Sequence, residues 1–231
     1  MKKSIFCLLI SALTLFSFSS CSKDSEGLTK ITTYAVIDLE GGSIITVNKG
    51  SEFVDPGYTA IQGTEDVTAN VTVSGKVNTA ECGAYKLNYR VVNPDGFAAT
   101  AQRTVVVVDP SNFASAYLSH VKYGKREFFN LVVLITDNGD GTYAIDDLCG
   151  GFYSQGRYPG YPYDFSYEET LKLDDNGIVT LANGMANEGP WYFGDPIDVV
   201  DGKYDRATGT FTYKAAFAGD PEDAISVELT K

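Results

Sequence analysis

The sequence predicts an all-β protein: an antiparallel β-sandwich followed by an antiparallel β-meander that closes as either a barrel or a second sandwich. Two observations carry this. Apolar residues recur at every second position in short runs bounded by Gly, Asn, Asp and Pro clusters. In the second half the runs come in pairs around tight turns, and residues 31–109 offer no long helical period. The 231 residues suit one large domain or two small ones, and the turn punctuation favours two.

The first element is not a strand. Lys2 and Lys3 precede the uncharged apolar stretch "SIFCLLISALTLFSF", and small residues Ser19 and Ser20 stand before Cys21. A charged start, a short apolar core and small residues before a cut site mark a secretory signal. With Cys21 at that site, the segment resembles the bacterial lipoprotein signal in the looser form of Bacteroidetes. The resemblance implies a signal peptide at 1–20 and acylation of Cys21, and the polar residues that follow read as a flexible tether through residue 32. "CSKDSEG" is similar to the Bacteroidetes signal for display on the outer face of the outer membrane. It implies a lipid-anchored protein facing the cell exterior.

The formal net charge is −12, and removing residues 1–20, with two lysines and no acid, takes it to −14. Such a chain repels nucleic acid and anionic headgroups, so membrane attachment is expected through the acyl chains alone. Cys7 leaves with the signal, which leaves Cys82 and Cys149 as two distant thiols. They form no disulfide framework or zinc spacing and read as free, buried cysteines.

Residues 33–109 read as the sandwich. "VTANVTVSG" alternates Val67, Val71 and Val73 with polar partners. "YKLNYRV" puts Tyr85, Leu87, Tyr89 and Val91 on one face, "NPDG" (93–96) supplies a turn, and "RTVVVVD" is a buried or half-buried strand. The phrases "NKGSEFVDPGYTA", "VTVSGKVNTAECGAYKLNYRVVNPDG" and "QRTVVVVD" resemble the bacterial surface Ig-like domain. That family implies a sandwich of about seven strands acting as spacer or recognition module, without catalytic residues. Asp55, Pro56 and Gly57 are expected to turn the chain between strands.

"PSNFASAYLS" (110–119) reads as a linker, and 120–231 as the second β domain. "NLVVLIT" and "TYAIDDL" flank "DNGDG"; "ETLKLDDNGIVTL" and "GKYDRATGTFTYKAAF" repeat the plan, and "AISVELTK" closes it. This half is similar to C-terminal domains that follow Ig-like modules in Bacteroidetes surface lipoproteins, many encoded beside glycan-uptake systems.

Enzyme chemistry finds little footing. His120 is the single histidine, and no nucleophile elbow accompanies it. Neither "DNGDG" nor "LDDNG" places oxygen ligands at the calcium-loop positions, so both read as hairpin turns, and no metal or cofactor is expected. Glu168 and Glu169 are neighbours that would point to opposite faces of a strand, which disfavours a paired-carboxylate site.

Two stretches remain. In "GGFYSQGRYPGYPYDFSYEE" (150–169), Tyr161, Tyr163, Phe165 and Tyr167 alternate with polar residues and read as a strand with an aromatic core face. Phe152, Tyr153 and "GRYPG" break the alternation and read as a loop. "NGMANEGPWYFGDP" (183–196) sets Trp191, the single tryptophan, beside Tyr192 and Phe193. Aromatic faces stack on sugar rings while Asn, Asp and Arg bond hydroxyls. The expected glycan contacts are Trp191, Tyr192, Tyr158, Arg157 and Tyr153, with Asp195 and Asn187 as hydroxyl partners. The expected function is non-catalytic capture of polysaccharide or oligosaccharide. The alternatives are an adhesin or accessory subunit binding outer-membrane protein partners, and a weak glycoside hydrolase.

Overall fold

The structure, a computed structural model, describes residues 31–186 and 191–231. The signal peptide, Cys21, the tether up to residue 30 and Asn187 lie outside the described residues.

Seven strands make the first module. One sheet joins β1 (Ala35–Leu39), β3 (Tyr58–Gln62) and β4 (Glu65–Asp66). The other runs β2 (Ile44–Asn48), β7 (Ala98–Val108), β6 (Gly83–Val92) and β5 (Thr72–Ser74), with β2 parallel to β7. Along β6 the alternation holds: Leu87, Tyr89 and Val91 are buried and their neighbours exposed. The hairpin from β6 to β7 turns at 93–97, where the Asn93 carboxamide accepts the Asp95 and Phe97 amides. The expected alternation through 67–73 is broken by a 3₁₀ turn at Thr68–Asn70. Val67 is therefore buried and Val73 exposed.

Asp55 does more than turn the chain. Its carboxylate accepts from the fully buried Arg103 guanidinium, from the Tyr89 hydroxyl at 2.5 Å and from the Gly57 amide at 3.0 Å. Arg103 also donates to the carbonyls of Gly42 at 3.1 Å and Gly57 at 3.0 Å. Burial and the neighbouring Asp55 carboxylate push the Tyr89 phenol up to about 12. A buried guanidinium survives because it is paired and its remaining donors are satisfied.

The second module is an eight-stranded antiparallel sheet of β8 (Ala116–Tyr123), β9 (Arg126–Asp137), β10 (Tyr143–Ile145), β11 (Glu169–Leu173), β12 (Val179–Leu181), β13 (Ile197–Asp205), β14 (Thr210–Phe217) and β15 (Ala224–Thr230). Each strand neighbours the next in sequence, and β15 returns to pair with β8. The ring closes at a narrow seam between β12 and β13. There Ile178 bridges Lys203, and the Tyr204 amide donates to the Gly177 carbonyl at 2.8 Å. Glycine is needed on both sides: a Cβ on Gly202 would stand 2.2 Å from the Val179 oxygen, and one on Gly177 2.4 Å from the Tyr204 oxygen. The choice between barrel and sandwich thus falls to a nearly closed barrel. Its interior is filled by side chains such as Tyr117, Ile135, Phe211 and Ile225.

The expected linker is shorter than 110–119. Phe113 is buried in the barrel core, and Ala116–Ser119 already belong to β8. The two modules share an apolar layer in which Val106, Val108 and Ala116 pack with Ile44, Cys82, Leu118, Val132 and Leu134. This explains the unbroken "VVVV": Val105 faces the sandwich core, whereas Val106 and Val108 face the barrel wall. Cys82 and Cys149 are free thiols, the first half-buried in this layer and the second buried in the barrel.

Candidate functional site

In a meander, alternate connections emerge at the same end. Residues 146–168 between β10 and β11 and the described part of the connection between β12 and β13 therefore meet at one mouth of the barrel. The tip of the β8–β9 hairpin joins them there. The start of β8, where the sandwich attaches, is at the other end.

The first connection is anchored by polar groups inside the mouth. Buried Asp147 accepts the amides of Cys149 at 2.9 Å and Tyr167 at 3.4 Å, and the Ser154 hydroxyl at 2.6 Å. Burial pushes its carboxyl up to about 7, against these three donors. The Tyr213 hydroxyl donates to the Leu148 carbonyl at 2.8 Å. Gly150, at φ +65°, brings backbone into contact with inward-facing side chains: a Cβ there would lie 2.6 Å from Val121 Cγ1 and 2.8 Å from Val227 Cγ1. A π-helical turn, Phe152–Arg157, follows. Gln155 fixes it to β9 by accepting the Val132 amide at 2.9 Å and donating to the Val132 carbonyl at 2.6 Å.

On this base stands a continuous aromatic layer. Tyr153 contacts Trp191 and Phe193 at 5.2 and 5.0 Å between ring centres, and Tyr158 contacts Phe165 at 4.9 Å. Tyr161 meets Tyr163 at 6.0 Å, and Tyr163 meets Tyr192 at 5.5 Å. Such tilted and edge-on pairs are the arrangements ring quadrupoles favour. A hollow of about 540 Å³ opens in the layer, lined by Tyr163, Asp164, Ser166, Glu168, Trp191 and Tyr192. The Asp164 carboxyl accepts the Ser166 hydroxyl at 2.6 Å and amide at 2.9 Å, and both bonds hold its pKa below the usual carboxylate value.

The expected contact residues divide. Tyr192 is 62% exposed, whereas Trp191 is only 9% exposed. The Trp191 ring lies among Tyr153, Tyr167 and Phe193, and its Nε1 donates to the Asp195 carbonyl at 2.7 Å. Trp191 is therefore a floor rather than a free platform. It is buried because Tyr153, Tyr167, Phe193 and Phe217 pack around its ring and its N–H is satisfied locally. Tyr153 and Tyr158 are half-buried, and Arg157 is exposed with its guanidinium 5.3 Å over the Tyr158 ring. Asp195 is exposed.

The run 161–167 is not a strand. Phe165 and Tyr167 are buried, but Tyr161 and Tyr163 are 57% and 58% exposed. Sequence reading missed these two, together with Phe193, Asp164, Ser166 and Glu168. The available signal was Pro159-Gly160 and Pro162, since proline removes a ladder donor.

Elsewhere the turns behave as turns. Asp137, Asp140 and Asp174 each spend a carboxylate oxygen on amides of their own loops. Among the described residues no group of three or more His, Cys, Asp or Glu is placed to hold a metal ion. His120 sits on the barrel's outer wall, 2.8 Å from Glu127 and stacked on Phe129.

A seven-stranded sandwich ahead of a nearly closed meander barrel with an aromatic mouth defines the class. The family model described as "Bacterial surface protein, Ig-like domain" matches residues 37–107. A second model, of a C-terminal domain, matches 108–231, more than half of the chain. The chain belongs to the family that this second model defines, with the bacterial surface Ig-like domain ahead of it. It is similar to the crystal structure of the lipoprotein BT2262 from Bacteroides thetaiotaomicron. That likeness has 28% identity and a TM-score of 0.57, and covers 86% of this chain and 100% of that one. Two structures from Clostridium perfringens ZmpB also align. One holds CBM51-2 in complex with GlcNAc and INT domains (14% identity, 85% of this chain, 43% of that one, TM-score 0.29). The other holds the M60 catalytic domain with CBM51-1 and CBM51-2 (15% identity, 86% and 21%, TM-score 0.30). Likeness at these scores carries no inference about this chain. No curated protein sequence matches it significantly.

Proposed function

We propose that the protein is a lipid-anchored, non-catalytic lipoprotein of the outer membrane, facing the cell exterior, that binds extracellular glycan at the mouth of its barrel. The lipoprotein relative and the sequence around Cys21 support the address. The observation that carries the binding reading is the exposed aromatic rim around a hollow with carboxylates in its wall. Tyr161, Tyr163, Tyr192 and Phe193 offer faces for sugar C–H groups, while Asp164 and Glu168 accept from hydroxyls. Trp191 supports the rim from below.

Each aromatic contact contributes roughly 0.5–1.5 kcal/mol beyond area burial. Two or three with a few hydrogen bonds give roughly −4 to −6 kcal/mol, a dissociation constant of about millimolar to tens of micromolar. Many copies on one cell raise the avidity.

Retardation of the purified protein in native gels cast with neutral polysaccharides tests this. Wild type is slowed by at least one glycan, and Tyr163→Ala/Tyr192→Ala loses the effect at an unchanged melting temperature. Trp191→Ala loses stability as well as retardation. If no glycan in a broad panel slows the wild type, the rim is an anchor for a protein partner instead.

A further inference from the structure

A second hollow, of about 380 Å³, adjoins the aromatic layer where Arg157 leans over Tyr158. It is lined by Lys125, Arg126, Glu127, Phe128, Gly156 and Arg157. Three cations and one acid make this a basic spot on a chain of net charge −12. Glu127 offsets one of the three charges, and its Oε1 lies 2.8 Å from His120 Nε2. Among the described residues Lys125, Arg126 and Arg157 have no ion-pair partner, and all three are exposed.

The support beneath them is closely packed. Arg126 pairs with Tyr123 across the two-residue tip Gly124–Lys125. The π-helical turn presses against the hairpin so closely that a Cβ on Gly156 would stand 2.6 Å from Phe128 Cδ2. Phe128 in turn packs edge-on against buried Phe152 at 5.3 Å. Two guanidinium groups and an ammonium are thus gathered on a closely packed frame with Glu127 as the one acid in the lining, which leaves a surplus of positive charge and a cost in like-charge repulsion. A bound anion relieves that repulsion, and the planar guanidinium fork matches a carboxylate or sulfate.

We propose that this hollow is an anion site that takes the carboxylate or sulfate group of an acidic sugar unit, in a glycan whose remaining units lie on the aromatic layer. The assignment rests on the glycan reading above, and contact through Arg157 and Tyr158 makes the two surfaces continuous. The net charge repels long polyanions, but screening over about 8 Å at physiological salt lets the local cations decide. The ligand class is therefore an acidic glycan that is either short or sparsely substituted.

Trigalacturonate titrated into the purified protein tests the site, beside Lys125→Ser/Arg126→Ser, whose two positions lie outside the aromatic rim. Wild type binds, and binding weakens as salt rises. The double variant loses about tenfold, the effect of removing a charge-assisted hydrogen bond, and keeps its retardation in neutral-glycan gels and its melting temperature. Equal binding by wild type and variant overturns the proposal, as does absence of trigalacturonate binding. If neutral glycans are still retained in either case, the glycan reading stands without the anion site. Loss of both overturns the two together. Capture of phosphatidylglycerol vesicles that depends on Lys125 and Arg126, without trigalacturonate binding, assigns the cations to a membrane and also overturns it.

Discussion

Two buried charged residues show how differently the chain treats charge. Arg103 is paired with Asp55 and saturated by carbonyls, so its burial is compensated within the sandwich. Asp147 has three donors but no cation among its bonded partners, and burial raises its carboxyl from 3.8 to about 7. A raised carboxyl pKa means the folded state holds more protons than the unfolded state between about pH 4 and 7, so this group's contribution to stability falls as pH rises through that window. Its full cost stands above pH 7 and is absent below about pH 4. Asp147→Asn keeps the shape and removes the titration. The variant's melting temperature relative to wild type is therefore expected to climb by several degrees between pH 4.5 and 8. A pH-independent difference would show that the carboxylate is fully compensated by its three donors.

At the scale of elements, the mouth of the barrel depends on a connection that enters it. Gly150 combines φ +65° with a Cβ position already occupied by Val121 and Val227. Gly160, at φ +73° in the same connection, has open space around it. Gly150→Ala should therefore cost about 2–5 kcal/mol, from left-handed strain plus overpacking. Gly160→Ala should cost only about 1–2 kcal/mol. Urea denaturation followed by tryptophan fluorescence reads both, and equal costs would mean that the connection does not pack inside the barrel. The same contrast shows what the sequence made legible. Strands with one buried face, such as β6, appear as alternation because each side chain has one destination. In 161–167 the same alternation misleads, since prolines deny the backbone a ladder and the chain folds the rings over one another instead. The burial of Trp191 was not legible either, because an indole flanked by Gly and Pro reads alike as platform or floor until Asp195 is seen to take its N–H. Residues 152–160 read as a loop but 161–167 read as a strand, and which rings face solvent depends on packing between two connections, as where Tyr163 meets Tyr192.

At the scale of the whole molecule, the sandwich and barrel act as one body through Val106 and Val108. The strand that closes the sandwich reaches Phe113 and β8 within a few residues, and its outward valines are covered by Leu118, Val132 and Leu134. A flexible linker would have left Val106 and Val108 facing water; a shared apolar layer accounts for burial on both faces. The arrangement holds the aromatic mouth at the end of the barrel away from the sandwich. The shared layer also makes unfolding of either half expose apolar area on the other, so the halves should melt together. Calorimetry of the wild type should show a single transition. Val106→Asp buries an uncompensated carboxylate in the layer, which is relieved most cheaply by parting the modules. The variant should then melt in two steps, with the sandwich lower. Two independent steps in the wild type would mean that the layer does not couple the halves, and the mouth would be presented by a jointed arm instead of a rigid one.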